Sequence, residues 1–203
     1  MPLSIIENKS TQRLIVLASS SSYRKQLLKR LGLNFETEAP KIDETARPGE
    51  NPVQLSIRLA EQKARSLGTK YTNHIIIGSD QVAVLDGKQL RKPKNRGVNI
   101  EHLVRASGKT LTFHTSVCAL DSKTNCLESD VDSSKVFFRH LEKHQIIRYV
   151  EKEKPFDCAG GFKFEGLGIA LFEKFEGEDP NAVVGLPLIR LRQLLEKLGV
   201  VVI

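Results

Sequence analysis

The chain has 203 residues, and its 31 Lys and Arg outnumber its 24 Asp and Glu to give a formal net charge of +7. Apolar residues at 40% and charged residues at 27% are the balance of a globular protein able to bury a core, which excludes a disordered or fibrous chain. The basic excess suits a polyanionic partner, nucleotide or nucleic acid, but the lack of Trp and an aromatic content of 6% offer no stacking platform for single-stranded nucleic acid.

Cys118, Cys126 and Cys158 have neither metal-knuckle nor CxxC spacing and fit free thiols in a reducing compartment. No apolar run approaches the roughly 18 residues of a spanning helix, and Met1–Gln12 has no apolar core for a signal peptide. A cytoplasmic protein with no membrane association is therefore expected. Residues 1–12 read as an N-terminal extension and residues 13–203 as one domain.

In chain order, Arg13–Ala18 (RLIVLA) is a continuous apolar run and predicts a buried strand. Four serines, Ser19–Ser22, lead into Tyr23–Leu33, where Leu27, Leu28 and Leu31 share a helical face. Ser21 or Ser22 can cap this helix and Gly32 can end it. Asn34–Glu38 predicts a short strand and Ala39–Asn51 a loop. Pro52–Leu67 predicts an amphipathic helix closed by Gly68. His74–Ile77 is a second buried strand running into Gly78-Ser79-Asp80-Gln81. Val82–Leu85 continues extended to the hairpin signal Asp86-Gly87.

A basic segment, Lys88–Arg96, precedes a helix at Asn99–Ala106. Thr110–Leu120 and Leu127–Phe138 predict a long hairpin, and Leu141–Val150 a helix. Pro155–Gly168 is a glycine-punctuated loop, Ile169–Phe175 a strand, Glu176–Gly185 a polar loop and Leu186–Leu198 a helix. Val200–Ile203 predicts a last edge strand. Early strand–helix alternation followed by a hairpin predicts an α/β fold with a mixed sheet flanked by helices.

The ends of the two early strands are where chemistry can gather. Ser19 and Ser21, with Arg24, open a helix N-terminus that suits phosphate, although a serine cap with a surface Arg is the plainer reading. Asp80 at the end of a strand can hold a cation or activate water, or simply begin a turn. Asp43 and Glu44 can bind Mg²⁺ or Mn²⁺ through oxygen or be solvated loop acids. Lys63 and Lys92 can neutralise phosphate or lie on the surface. His140 and His144 lack the Glu of a zinc-protease motif, and no Walker A sequence or GxSxG elbow is present.

Taken together, Leu17–Arg24 (LASSSSYR), Asp43-Glu44, the Lys63 helix, Gly78–Gln81 (GSDQ), Lys92-Pro93, Cys158-Ala159-Gly160 and Asn181–Pro187 (NAVVGLP) resemble the Maf family. The resemblance runs from about Leu14 to Leu198. It implies a two-lobed α/β fold with a deep cleft between the lobes. It also implies hydrolysis between the α and β phosphates of a nucleoside triphosphate with a divalent metal (Mg²⁺, Mn²⁺ or Co²⁺), and often a homodimer. Tyr23, Gln81 and Glu165 resemble the specificity positions of the branch acting on 7-methyl-GTP, rather than the branch linked to dTTP and UTP.

The resemblance casts Asp80 as the catalytic residue and Glu44 and Asp80 as metal ligands. Ser19, Ser21, Arg24, Lys63 and Lys92 become phosphate contacts. Arg91 replaces the family's Gly before Lys92, and Gly161 replaces a Ser common in this branch. These departures put the conformation of one loop and the rigidity of another in question. Three other readings are a pyrophosphatase acting on dTTP, UTP or other nucleotides, a nucleic-acid-binding module, suggested by the charge, and a non-enzymatic regulator of septum formation, a role associated with the family. No stable nucleic-acid partner is expected.

Overall fold

The computed structural model describes residues 13–203, so the extension read at residues 1–12 lies outside it. Its elements run β1 (Leu14–Ala18), α1 (Ser22–Lys29), β2 (Phe35–Glu38), α2 (Pro52–Arg65), β3 (His74–Leu85), β4 (Lys88–Leu90) and α3 (Arg96–Ala106). Then follow β5 (Thr110–Asp121), β6 (Cys126–Phe138), α4 (Lys143–Glu153), β7 (Phe172–Glu176), α5 (Pro180–Val184) and α6 (Leu188–Lys197).

The strands form one seven-stranded sheet in the order β2-β1-β3-β5-β6-β7, with β4 added along the later half of β3. β1 pairs parallel with β2 and β3, and the remaining pairings are antiparallel. The sheet is mixed because helical crossovers return the chain parallel around β1, whereas the tight β3–β4 and β5–β6 turns can only return it antiparallel.

Both faces of the sheet are covered around β1 and β3. With a side-chain period of two, Ile15, Leu17, Ile75 and Ile77 meet α1 and α6 on one face. Val16, Ala18 and Ile76 meet Ala60 and Ala64 of α2 on the other. This double burial explains why both strands read as unbroken apolar runs rather than alternating ones. A separate cluster packs Leu111, Phe113, Val136 and Phe138 against α3 and α4 at the far end of the long strands.

α2 sets the position of the site. Asn51 and Gln54 form a reciprocal capping box at its start, with the Asn51 side chain accepting from the Gln54 N–H at 2.9 Å and Gln54 accepting from the Asn51 N–H at 3.1 Å. Such a cap contributes about 1 kcal/mol. Leu59, Ala60, Lys63 and Ala64 then fall on the buried face. The helix lies so close to β3 that a Cβ on Gly78 would stand 2.1 Å from the Ala60 carbonyl oxygen.

Four expectations change at the C-terminal end and in the basic segment. Lys88–Leu90 forms β4. The strand read at Ile169–Phe175 begins only at Phe172, because Leu167–Leu171 winds into a tight 3₁₀ turn. The polar loop Glu176–Gly185 contains α5, which Asp179 caps and Pro180 opens. Val200–Ile203 forms no strand: Val200 and Val202 pack against the α1–α6 cluster instead of pairing at an edge. Among the described residues no helix is long and apolar enough to cross a membrane.

Gly78→Ala should force α2 off the sheet. Overpacking against a backbone carbonyl is expected to cost about 1–3 kcal/mol, read as a lower urea midpoint at unchanged slope. An unchanged midpoint would mean that the helix does not lie this close in solution.

Candidate active site

β1 ends at Ala18, while β3 continues for eight residues past its last β1 partner, Ile77. The crevice left beside the longer strand is where an α/β sheet typically opens to a ligand. A cavity of about 680 Å³ occupies it. Ser19, Ser21, Tyr23, Arg24, Glu44, Lys63, Asp80, Gln81, Lys92 and Glu165 all line this one cavity. The carboxylate of Asp43 is instead turned into its own loop, accepting from the Thr45 N–H at 2.9 Å.

The centre of the cavity is a buried lysine between two acids. Lys63 is 6% exposed and Asp80 8%, and the Lys63 ammonium donates to Asp80 Oδ1 at 2.6 Å. It also pairs with Glu44 Oε1 at 2.8 Å. Partial burial raises the Glu44 carboxyl, but the hydrogen bond from Lys63 and the charges of Lys63, Arg24 and Lys92 together hold it below its ordinary value. Among the described residues no group of three or more His, Cys, Asp or Glu could enclose a metal ion. Glu44 and Asp80 are brought together by the Lys63 ammonium, which engages one oxygen of each, Glu44 Oε1 and Asp80 Oδ1, and leaves the other oxygen of each for a cation. Two carboxylates complemented by phosphate oxygens and water are a donor set typical for Mg²⁺, so the residues fit a divalent cation shared with a substrate.

The acidic loop is latched to α2. Arg58 Nε donates to Glu50 Oε1 at 2.6 Å, and Arg58 Nη2 donates to Glu50 Oε2 at 2.8 Å and to the Thr45 carbonyl at 3.0 Å. Hydrogen bonds from Arg58 pull the Glu50 carboxyl down to about 2. The latch carries Glu44 over Lys63.

The serine loop is ordered by its own hydroxyls. Ser19 Oγ accepts from the Ser21 N–H at 3.1 Å, and Ser21 Oγ caps α1 by accepting from the Arg24 N–H at 3.4 Å. Arg24 is half-buried. Desolvation weakens its hold on its proton, which the Asp80 and Glu44 charges oppose.

A second set of contacts comes from the backbone around α5, which the sequence reading treated as loop. The Gly185 carbonyl accepts from Arg24 Nε at 2.7 Å and from Ser79 Oγ at 3.0 Å. The Ala182 and Val183 carbonyls accept from Gln81 Nε2 at 2.8 and 2.9 Å. The Gln81 amide nitrogen is thus committed to the protein, and among the described residues its Oε1 has no donor. Asp179, fully buried, ties the start of α5 to α6 by accepting from the Asn181 and Ile189 N–H groups at 2.9 and 2.8 Å. The pair Asp179-Pro180, a helix cap followed by a first-turn proline, was the available signal for this element.

Tyr23 closes one end of the cavity. Its hydroxyl donates to Asp157 Oδ1 at 3.3 Å and lies 3.5 Å from Cys158 Sγ. Burial, then the neighbouring Cys158 and Asp157, raise the Tyr23 phenol, and burial pushes the Cys158 thiol up to about 11.

The two departures from the family pattern have clear outcomes. Arg91 does not need the left-handed backbone, so the side chain in place of Gly adds no strain there. Gly161, at φ 75°, sits where a Cβ would meet Asn99 Nδ2 at 2.5 Å, and its carbonyl accepts from that same nitrogen at 2.8 Å. The loop is pinned by this contact rather than loosened. Arg91 and Lys94 also line the cavity, which the sequence reading did not anticipate.

A family model described as Maf-like protein matches residues 14–198. The chain belongs to the Maf family. A protein of Hahella chejuensis named 7-methyl-GTP pyrophosphatase is 47% identical over 193 residues, covering 95% of this chain and 97% of its own. One of the same name from Nitrosococcus oceani is 51% identical over 185 residues, 91% of this chain and 93% of its own. A solved structure of the Staphylococcus aureus Ham1 protein aligns with 62% of this Maf chain and 72% of its own at a TM-score of 0.45 and 14% identity.

The Glu50–Arg58 latch yields a pH prediction. Because the Glu50 carboxyl is depressed, the latch stabilises the fold fully above the ordinary glutamate value of about 4.3, and this contribution is lost progressively as pH falls from there through about 2. A ¹³C carboxyl titration should place the Glu50 midpoint near 2 and that of Glu44 below 4.3. An ordinary midpoint for Glu50 would mean that the latch does not form.

Proposed function

We propose that the chain hydrolyses the α–β phosphoanhydride of 7-methyl-GTP, releasing 7-methyl-GMP and pyrophosphate. The observation that carries this reading is the Lys63 ammonium held between Asp80 and Glu44 in a cavity that also presents Arg24 and Lys92. A hydrolase for a polyphosphate needs cations to neutralise its oxygens and an acid to orient water, and both are within reach here. The names of the two relatives support the same substrate.

Asp80 acts as the base that orients and deprotonates the attacking water, and its contact with Lys63 fixes which carboxylate oxygen faces the cavity. Arg24, its Nε anchored on the Gly185 carbonyl, offers its remaining N–H groups to the phosphates. Ser19 and Ser21, with the start of α1, receive phosphate oxygens. Lys63 and Lys92 stabilise charge developing on the pyrophosphate leaving group. Glu44 and Asp80 would hold a divalent cation, Mg²⁺, Mn²⁺ or Co²⁺, which supplies charge neutralisation on the phosphates.

The base is read at the other end by Tyr23, Gln81 and Glu165. A 7-methylated guanine is cationic, and an aromatic ring and a carboxylate both favour a cation. The free Oε1 of Gln81 and the Glu165 carboxylate are acceptors suited to the N1 and N2 donors of guanine. The proposal includes a homodimer, a cytoplasmic location, the bounds of one domain at residues 13–203, and a cleft between two lobes as the binding groove.

The test is a product-resolved panel of 7-methyl-GTP, GTP, dTTP and UTP with each cation. Turnover should be fastest on 7-methyl-GTP, yield pyrophosphate rather than orthophosphate, and stop with a chelator. Asp80→Asn should lower kcat by about 10²–10⁴-fold with an unchanged circular dichroism spectrum. Glu165→Ala should raise KM for 7-methyl-GTP more than for GTP. Full activity in Asp80→Asn would remove that residue from the chemistry, and equal losses on both nucleotides would undo the base assignment.

A further inference from the structure

The cations of the cavity divide into two kinds. Lys63 is already paired with Glu44 and Asp80. Arg91, Lys92 and Lys94 line the same cavity from the segment between β4 and α3, are exposed, and make no ion pair or side-chain hydrogen bond among the described residues. Beside Arg24, whose Nε is anchored on the Gly185 carbonyl, an anion entering the cavity therefore finds uncommitted positive charge at this edge.

The segment that carries them is held in place. Leu90 and Pro93 are buried on either side of Arg91 and Lys92. The Lys94 N–H donates to the Phe156 carbonyl at 2.9 Å, and the Asn95 side chain then caps α3 by accepting from the Val98 N–H at 3.0 Å. Lys94 adopts φ 62°, a left-handed conformation that lysine seldom takes. A glycine would relieve that strain at the loss of the charge. Arg91 stands where the family pattern has glycine, on a backbone that does not require one. Two positions suited to glycine or open to it thus carry cations facing the cavity.

We propose that Arg91 and Lys94 form an anion-binding arm at the edge of the cavity, gripping the terminal phosphoryl group of the substrate and the pyrophosphate released from it. The inference rests on the reading that the cavity takes a nucleoside triphosphate. A guanidinium offers two parallel N–H groups to one phosphate, and a pinned loop loses little freedom on binding. Asp157 and Glu165 line the cavity as well and repel phosphate, so an anionic group is held by the cations of the arm and not by these side chains. The arm rewards a triphosphate over a diphosphate and slows release of pyrophosphate.

Calorimetric titration with inorganic pyrophosphate in Mg²⁺ tests the arm without relying on turnover. Wild type is compared with Arg91→Gly, Arg91→Lys and Lys94→Gly, the last substituted by the residue that best tolerates the backbone there. Each glycine variant should weaken pyrophosphate binding by about two- to fivefold, the range of an exposed charge pair, and flatten its dependence on salt. KM for 7-methyl-GTP should rise by a similar factor with kcat retained, and Arg91→Lys should recover part of the loss. Unchanged pyrophosphate affinity in both glycine variants would overturn the arm, even in an enzyme that turns over 7-methyl-GTP normally. Weakened pyrophosphate affinity in a protein that cleaves no nucleoside triphosphate would instead overturn the pyrophosphatase reading and leave the arm standing.

Discussion

Burying the Lys63 ammonium is the constraint on which the rest of the site depends. An ammonium removed from water costs several kcal/mol unless it meets an opposite charge with good geometry, and removing one partner of such a pair costs about 3–5 kcal/mol. Lys63 meets this requirement only where the C-terminal half of α2 passes the point on β3 that carries Asp80. Gly78, two residues earlier on β3, lets the helix backbone come close enough for that contact. The same side chains that would perform chemistry therefore fix the seating of a helix on the sheet. A change at either end of the pair disturbs both.

The opposite wall is held by backbone carbonyls rather than charge. Gly185, Ala182 and Val183 accept from Arg24, Ser79 and Gln81, so three side chains from α1 and β3 are oriented by one short helix and the glycine that ends it. Carbonyls positioned in this way saturate the inward-facing donors and leave the outward-facing groups for a ligand. For Arg24 these are the remaining guanidinium N–H groups, and for Gln81 the amide oxygen. Asp179 gives this wall its rigidity by capping α5 and α6 at once. It acts on the cavity although it does not line it.

The parts that were legible in the sequence follow from strong local signals. The runs RLIVLA and HIII declared doubly buried strands, and the Pro52 opening with a clear apolar face declared α2. Lys63 falls three and four residues after Ala60 and Leu59, so its inward direction follows from helical spacing, and an inward lysine calls for an acid. That Asp80 was this acid rested on family likeness, since no local rule pairs residues 17 positions apart. The α5 helix escaped because five residues are too short to show periodicity. Val200 and Val202 suggested a strand because β-branched residues suit one, but packing on α1 and α6 used their apolar faces without any sheet partner. Arg91 was read as a departure from a motif when its effect is electrostatic, and a motif comparison registers only the missing glycine.

The distribution of charge around the cavity bears on how a nucleotide would lie in it. Lys63 places one positive charge between two carboxylates, so the centre is net negative before a ligand or cation arrives. Uncommitted positive charge lies at Arg24 and along the Arg91–Lys94 edge, whereas uncommitted negative charge lies at Asp157 and Glu165. A ligand with an anionic tail and a cationic ring finds charge of opposite sign for each in this cavity, whereas an uncharged base has no use for the carboxylates as counter-charges. Under the proposed reading, selectivity for a methylated guanine thus comes from the presence of carboxylates in the cavity as well as from hydrogen bonds to the base. Under the same reading the chemistry takes place beside Asp80, whose carboxylate is held by the buried Lys63 ammonium.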